Sequence, residues 1–178
     1  MTATDADARG KAGVGAGADT DSDAASNDSA TFPDVGDLLP HRPPMLLVDR
    51  VIAHGDNLTV CEVEVKADSL FTVERDGRRE VPAVVGIEYM AQTVATFAGL
   101  SARKERRTPR LGFLIGCREL RLETDAFAAG DILTVEARRV FGENDLGSFA
   151  CTIKHGGRTL ATGTLTVYQG PLPEDMIT

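Results

Sequence analysis

Glu88 is a lone acid in an otherwise almost wholly apolar run, Val81-Pro82-Ala83-Val84-Val85-Gly86-Ile87-Glu88-Tyr89-Met90-Ala91-Gln92. The run reads as a turn entering a helix that continues through Val94, Ala95, Phe97, Ala98 and Leu100, apolar on nearly every side. Such a helix is expected to be buried. An acid in its first turns must be neutral, paired or placed in a cleft, and a desolvated carboxyl in a cleft suits proton transfer near neutral pH. Glu88, Gln92, Ala95 and Gly99 fall on one stripe of the helix, so Gln92 can hydrogen-bond the Glu88 carboxyl and fix its rotamer. The helix start just beyond Pro82 (Ala83, Val84, Gly86) offers backbone N–H groups that could polarise a carbonyl or hold an oxyanion. The structural alternative is that Glu88 merely caps the helix or pairs with a buried arginine.

His41 opens a second run, His41-Arg42-Pro43-Pro44-Met45-Leu46-Leu47-Val48-Asp49-Arg50. A histidine followed by two prolines lies on a stiff extended segment entering a strand. It can act as a base near neutrality, or sit as a structural residue bonded to a backbone carbonyl. His54 and His155 fall in expected turns and are read as solvated. No His/Cys/Asp/Glu cluster has metal-ligand spacing and no glycine loop of the phosphate-binding kind is present, so neither metal nor cofactor is expected. Arg103, Lys104, Arg106 and Arg107 close the helix, followed by Arg110. They are a solvated helix end, or a dock for an acidic partner.

The elements that must position these residues are ordered as follows. A short helix at Asp34–Leu39 precedes strands at Met45–Ala53 and Leu58–Ala67, and Glu74–Glu80 reads as a surface loop. The long helix follows, stopped before Pro109. Four strands then run over Arg110–Leu122, Asp131–Phe141, Gly147–Lys154 and Arg158–Gln169, separated by glycine-rich breakers. One long helix excludes a doubly wound sheet; the economical arrangement is α+β, an antiparallel sheet wrapped around the helix. Small residues on that helix would let the sheet approach closely.

Residues before Phe32 are Ala, Asp, Gly, Ser and Thr with little to bury, so 1–31 is expected to be a disordered tail and 32–178 the domain. Of the formal net charge of −8, much lies in that tail. The mildly acidic remainder argues against nucleic acid as the partner. The longest apolar run is read as too short to span a bilayer. Cys61, Cys117 and Cys151, odd in number and widely spaced, fit reduced thiols. Together these features predict a soluble cytoplasmic protein.

LLPHRPPMLLVDRV (Leu38 to Val51) resembles the opening motif of the FabZ-type β-hydroxyacyl-acyl-carrier-protein dehydratases, and VPAVVGIEYMAQ (Val81 to Gln92) resembles their catalytic helix. With GFLIGCREL (Gly112 to Leu120), the version here is nearer the ApeP-like dehydratase subunits of aryl-polyene and related pathways. The resemblance implies a hotdog fold and a dimer, homo- or heteromeric, with active sites at the subunit interface. It also implies acyl carrier protein with a phosphopantetheine-linked acyl substrate as partner, and dehydration of 3-hydroxyacyl thioesters to trans-2-enoyl products. The family's acid maps onto Glu88 and its glutamine onto Gln92, while the basic helix end is expected to dock the carrier. The family's His-Phe-Pro loop histidine, however, is replaced here by Glu74, and the glycine after its proline by Ala83. Three readings follow: His41 serves as base from another wall, Glu88 acts alone, or the chain is a weak or non-catalytic partner of a competent hotdog subunit. A hotdog thioesterase, in which the helix carboxylate activates water, is the other enzyme class.

Overall fold

The computed structural model describes residues 31–108, 110–143 and 145–170. The expected disordered tail therefore lies almost wholly outside the described residues. The elements are α1 (Val35–Leu38), β1 (Arg50–His54), β2 (Leu58–Glu64), β3 (Val73–Arg75), β4 (Arg78–Pro82), α2 (Gly86–Lys104), β5 (Phe113–Leu122), β6 (Ala126–Ala128), β7 (Ile132–Glu143), β8 (Leu146–His155) and β9 (Arg158–Tyr168). Six strands form one antiparallel sheet in the order β1-β2-β7-β8-β9-β5. Helix α2 packs across β2, β7, β8 and β9. This is the sheet wrapped around one helix that the element order implies, and the hotdog fold that the family resemblance implies.

Alternation builds the core. On β2, Cys61 and Val63 point inward between Glu62 and Glu64, and Leu133, Val135 and Ala137 do the same on β7. With Phe149, Cys151, Ile153 and Leu165 they meet Met90, Val94 and Phe97 of α2. Burial pushes the Cys61 and Cys151 thiols up to about 12, so both are inert packing groups.

Several expectations change. The charged stretch 74–80 is not a loop but a hairpin: β3 pairs with β4, and β4 with β6, as a separate small sheet. Asp76 and Gly77 sit at φ +51° and +73°, which is the two-residue hairpin turn that an Asp-Gly pair favours. The strand expected from Met45 begins only at Arg50. Helix α2 ends at Lys104, before Pro109 could act; Arg106 takes φ +53° and Arg107 N–H donates to Ala102 O at 2.8 Å, closing the end in the manner of a Schellman turn. The stretch Ala83–Lys104 is long and apolar enough to cross a membrane, contrary to the sequence expectation, but most of it is buried inside the fold.

Nor is α2 buried all round. Tyr89, Met90, Thr93, Val94, Thr96 and Phe97 face the core, while Glu88, Ala91, Ala95 and Ala98 form a half-exposed face. The close approach is made by the sheet at Gly86, where an added methyl would meet Ile153 of β8, and by α1 at Gly99. A methyl group added at Gly99 would lie 2.7 Å from the Leu38 carbonyl oxygen. Gly99→Ala is therefore expected to destabilise the fold by about 1–3 kcal/mol. Gly55→Ala, where nothing lies within 4 Å, should be near neutral, and denaturant midpoints compare the two.

Candidate active site

Gln92 is 1% exposed and its side-chain amide is fully used. Its Nε2 donates to Met45 O at 2.7 Å and to Glu88 Oε1 at 2.8 Å. Its Oε1 accepts from Leu47 N–H at 2.9 Å and from Val48 N–H at 3.4 Å. These bonds help explain why Met45 to Val48 is not a strand: Met45 O and the Leu47 and Val48 N–H groups are spent on Gln92, and the Met45 and Leu46 N–H groups on Arg42 O. The same bonds hold the segment carrying His41 against α2 and fix the Glu88 carboxyl.

His41 Nε2 stands 3.7 Å from Glu88 Oε1, and both side chains are about a third exposed, at 32% and 34%. At that separation the two groups face each other without a direct hydrogen bond, leaving access for a reacting group. His41 Nδ1 is buried and has no hydrogen-bond partner among the described residues. Only Nε2 is thus placed to exchange a proton in the groove, and no acceptor orients the ring as the third member of a triad would. Glu88 is held; His41 is positioned by its backbone alone. Arg42 stiffens that backbone by donating from Nη1 to Leu39 O at 2.9 Å and to His41 O at 2.7 Å.

Glu88, His41 and Gln92 line a groove of about 560 Å³. Its other walls come from the α1 segment (Leu38, Leu39), the half-exposed face of α2, and the approach to β5 at Arg110, Leu111 and Leu114. The β5 wall and the Val167 and Gln169 contribution from β9 and beyond were not foreseen as site residues; in the sequence they carry only a strand pattern. Pro82, Ala83, Val84 and Gly86 do not line this groove. The Ala83 N–H donates to Asp125 O at 2.9 Å, the Gly86 N–H turns back to Ala83 O and Val84 O, and a side chain at Gly86 would meet Ile153 and Phe127. The Ala83 and Gly86 N–H groups are thus spent within the chain, and Gly86 seats the helix start against both sheets.

The basic helix end is also altered by tertiary contacts. Lys104 pairs with Asp56 at 3.0 Å, Arg107 with Glu105, and Arg110 with Asp145 at 3.2 Å. Arg103 and Arg106 have no carboxylate within ion-pair distance among the described residues. His54 is not simply solvated: Nδ1 lies 2.7 Å from Thr59 Oγ1, the ring stands edge-on to Phe97, and burial lowers its pKa. His155 is not in a turn but ends β8, with Nδ1 3.0 Å from Ile132 O, outside the groove.

A family model described as ApeP dehydratase matches residues 33–178. The dehydratase heterocomplex ApeI:P from Xenorhabdus doucetiae superposes with a TM-score of 0.75 at 32% identity, covering 83% of this chain and 97% of that one. Among curated relatives, a 3-hydroxyacyl-[acyl-carrier-protein] dehydratase FabZ of Anaeromyxobacter sp. (strain K) is 33% identical over 101 residues, 56% of this chain and 64% of the relative. The FabZ of Acinetobacter baylyi is 29% identical over 135 residues, 75% of this chain and 90% of the relative.

The site geometry predicts that Gln92→Leu loses about 2–4 kcal/mol of stability, because buried Leu47 and Val48 N–H groups lose their acceptor. Gln92→Glu should keep the acceptor but place a second carboxyl beside Glu88. A thermal melt of each variant reads the cost, and an unchanged midpoint for Gln92→Leu would contradict the assignment.

Proposed function

The chain belongs to the ApeP-like dehydratase family, and we propose that it dehydrates 3-hydroxyacyl thioesters carried on acyl carrier protein to trans-2-enoyl thioesters, in the cytoplasm. The observation that carries this reading is the Glu88 carboxyl locked by Gln92 and facing His41 Nε2 across the groove. In the proposed reaction His41 Nε2 takes the Cα proton and Glu88 gives a proton to the β-hydroxyl, which leaves as water while the electron pair of the broken C–H bond becomes the new double bond. Proton exchange between the two residues through the groove restores the starting states.

A second reading has specific support: the chain works as one half of a pair of hotdog subunits. Strand β5 is an edge of the large sheet, and Leu114, Ile115 and neighbouring Leu111 are exposed along it. An open edge with apolar side chains calls for a covering strand. The similar Xenorhabdus structure is a heterocomplex. Glu74, at the position of the family's loop histidine, lies on exposed β3, away from the Glu88 groove. In this reading the chain contributes Glu88 to a site completed by a homologous subunit.

Glu88→Gln should lower the rate of dehydration of a 3-hydroxyacyl thioester by about 10²–10⁴-fold with the oligomer intact, followed as enoyl absorbance. An unimpaired variant would rule out the assignment. Running wild type alone and with a second hotdog subunit separates the two readings, since inactivity alone with activity on mixing selects the paired one. Free thiol without enoyl absorbance would select the thioesterase. For carrier docking by Arg103, Lys104, Arg106 and Arg107, the first and third are the cations to reverse, because the other two are already paired. Arg103→Glu with Arg106→Glu should weaken carrier binding strongly at low salt and little at high salt, and unchanged affinity would refute docking there.

A further inference from the structure

Removal of a proton from Cα leaves an electron pair that spreads onto the thioester carbonyl oxygen. The proposed dehydration therefore needs a donor at that oxygen as well as an acid and a base. The sequence places such donors at the helix start beyond Pro82, but Pro82, Ala83, Val84 and Gly86 line no part of the Glu88 groove. The Ala83 N–H is spent on Asp125 O, and the Gly86 N–H on Ala83 O and Val84 O.

Arg42 stands in the groove wall beside His41. Its guanidinium is tied through one nitrogen, Nη1, which donates to Leu39 O at 2.9 Å and to His41 O at 2.7 Å. Among the described residues neither Nε nor Nη2 has a partner, and no carboxylate lies within ion-pair distance. Leu39 is a firm anchor, since it caps α1 and is 3% exposed. The backbone of Arg42 is fixed as well: its carbonyl oxygen accepts from the Met45 N–H at 2.9 Å and the Leu46 N–H at 3.1 Å. Met45 O in turn accepts from Gln92 Nε2 at 2.7 Å. The bonds that set Glu88 thus also set Arg42.

A long cationic side chain normally loses much rotamer freedom when it engages a ligand, and here two carbonyls have restricted it beforehand. An arginine that served only to tie a turn would need no charge. The side chain is exposed in the single chain, so its unused nitrogens are open to a ligand. A charged donor makes a stronger bond to a developing oxyanion than a neutral amide does.

We propose that Arg42 donates from its unused nitrogens to the substrate's thioester carbonyl oxygen and stabilises the negative charge that develops there as His41 removes the Cα proton. The inference rests on the dehydratase reading above. Arg42 transfers no proton: the Cα proton goes to His41, and the β-hydroxyl leaves as water with the proton from Glu88. As the double bond forms, charge returns from the carbonyl oxygen, so the contact is strongest at the transition state.

Isotope-edited infrared spectra test it, using the full chain and a saturated acyl-pantetheine thioester labelled at its carbonyl carbon. That compound lacks a β-hydroxyl and cannot be dehydrated. Its carbonyl stretch should fall on binding, return to the value in water in Arg42→Gln, and lie between the two in Arg42→Lys. Loss of a turn tie alone would not move this band. A wild-type band at the water value, with and without a second hotdog subunit, overturns the proposal, as does a shift that Arg42→Gln retains. Should Arg42→Gln fail to fold, Arg42→Lys carries the test, and a shift identical to wild type overturns it. In whichever form dehydrates, Arg42→Gln should lower kcat by about 10²–10³-fold with little change in KM, and a loss confined to KM would contradict the role. The two ideas fail separately. A chain that shifts the carbonyl band through Arg42 but never dehydrates, alone or paired, defeats the dehydratase reading. One that dehydrates at the wild-type rate as Arg42→Gln defeats this assignment.

Discussion

The structure of the candidate site depends on one buried amide. Gln92 has two donors and two acceptor positions, and all four are occupied. Three bind the backbone of the Met45–Val48 segment and one binds Glu88, so a single side chain ties the His41-bearing segment to the helix and sets the Glu88 carboxyl at the same time. A buried amide is tolerated only when satisfied in this way, because each unmade bond leaves a polar group without water. The segment it holds cannot pair as a strand, and so it remains an extended strap beside the helix. Gly99, two turns further on, completes the same attachment by letting the Leu38 carbonyl approach the helix axis.

Helix α2 carries two functions on opposite faces. Large side chains (Met90, Val94, Phe97) fill the concave side of the sheet, whereas alanines at 91, 95 and 98 leave a cleft on the other side. Hydrophobicity does not distinguish these faces, but side-chain volume does. The groove therefore exists because the helix has too little bulk there to close it, with α1 and the approach to β5 standing on either flank. Edge strand β5 bounds that cleft and also presents exposed apolar side chains, which places the proposed subunit contact beside the proposed reaction site.

Charge along the cleft is graded by pairing as much as by composition. The basic residues after α2 look like an uninterrupted positive patch in the chain, but Asp56 and Asp145 are brought to Lys104 and Arg110 from distant turns. Arg139, far away in sequence, reaches the cavity beside them from β7. The electrostatic character of this end of the helix belongs to the fold.

Much was legible from local pattern. The alternation of Cys61, Val63 and Val65 with Glu62 and Glu64 marked β2, and the order of elements around one long apolar helix implied the wrapped sheet. The spacing of Glu88 and Gln92 implied their hydrogen bond, since both properties depend on neighbours within one or two turns. The Asp76-Gly77 turn was present as a signal, yet the charge of its flanks concealed two short exposed strands. Contacts between distant segments had no such signature. The chain alone did not show that Met45 to Val48 would spend its backbone on Gln92, that the Ala83 and Gly86 amides would be spent within the chain, or that His41 would stand opposite Glu88. Periodicity reports which face of an element is apolar; only the packing of one element on another decides which polar groups meet.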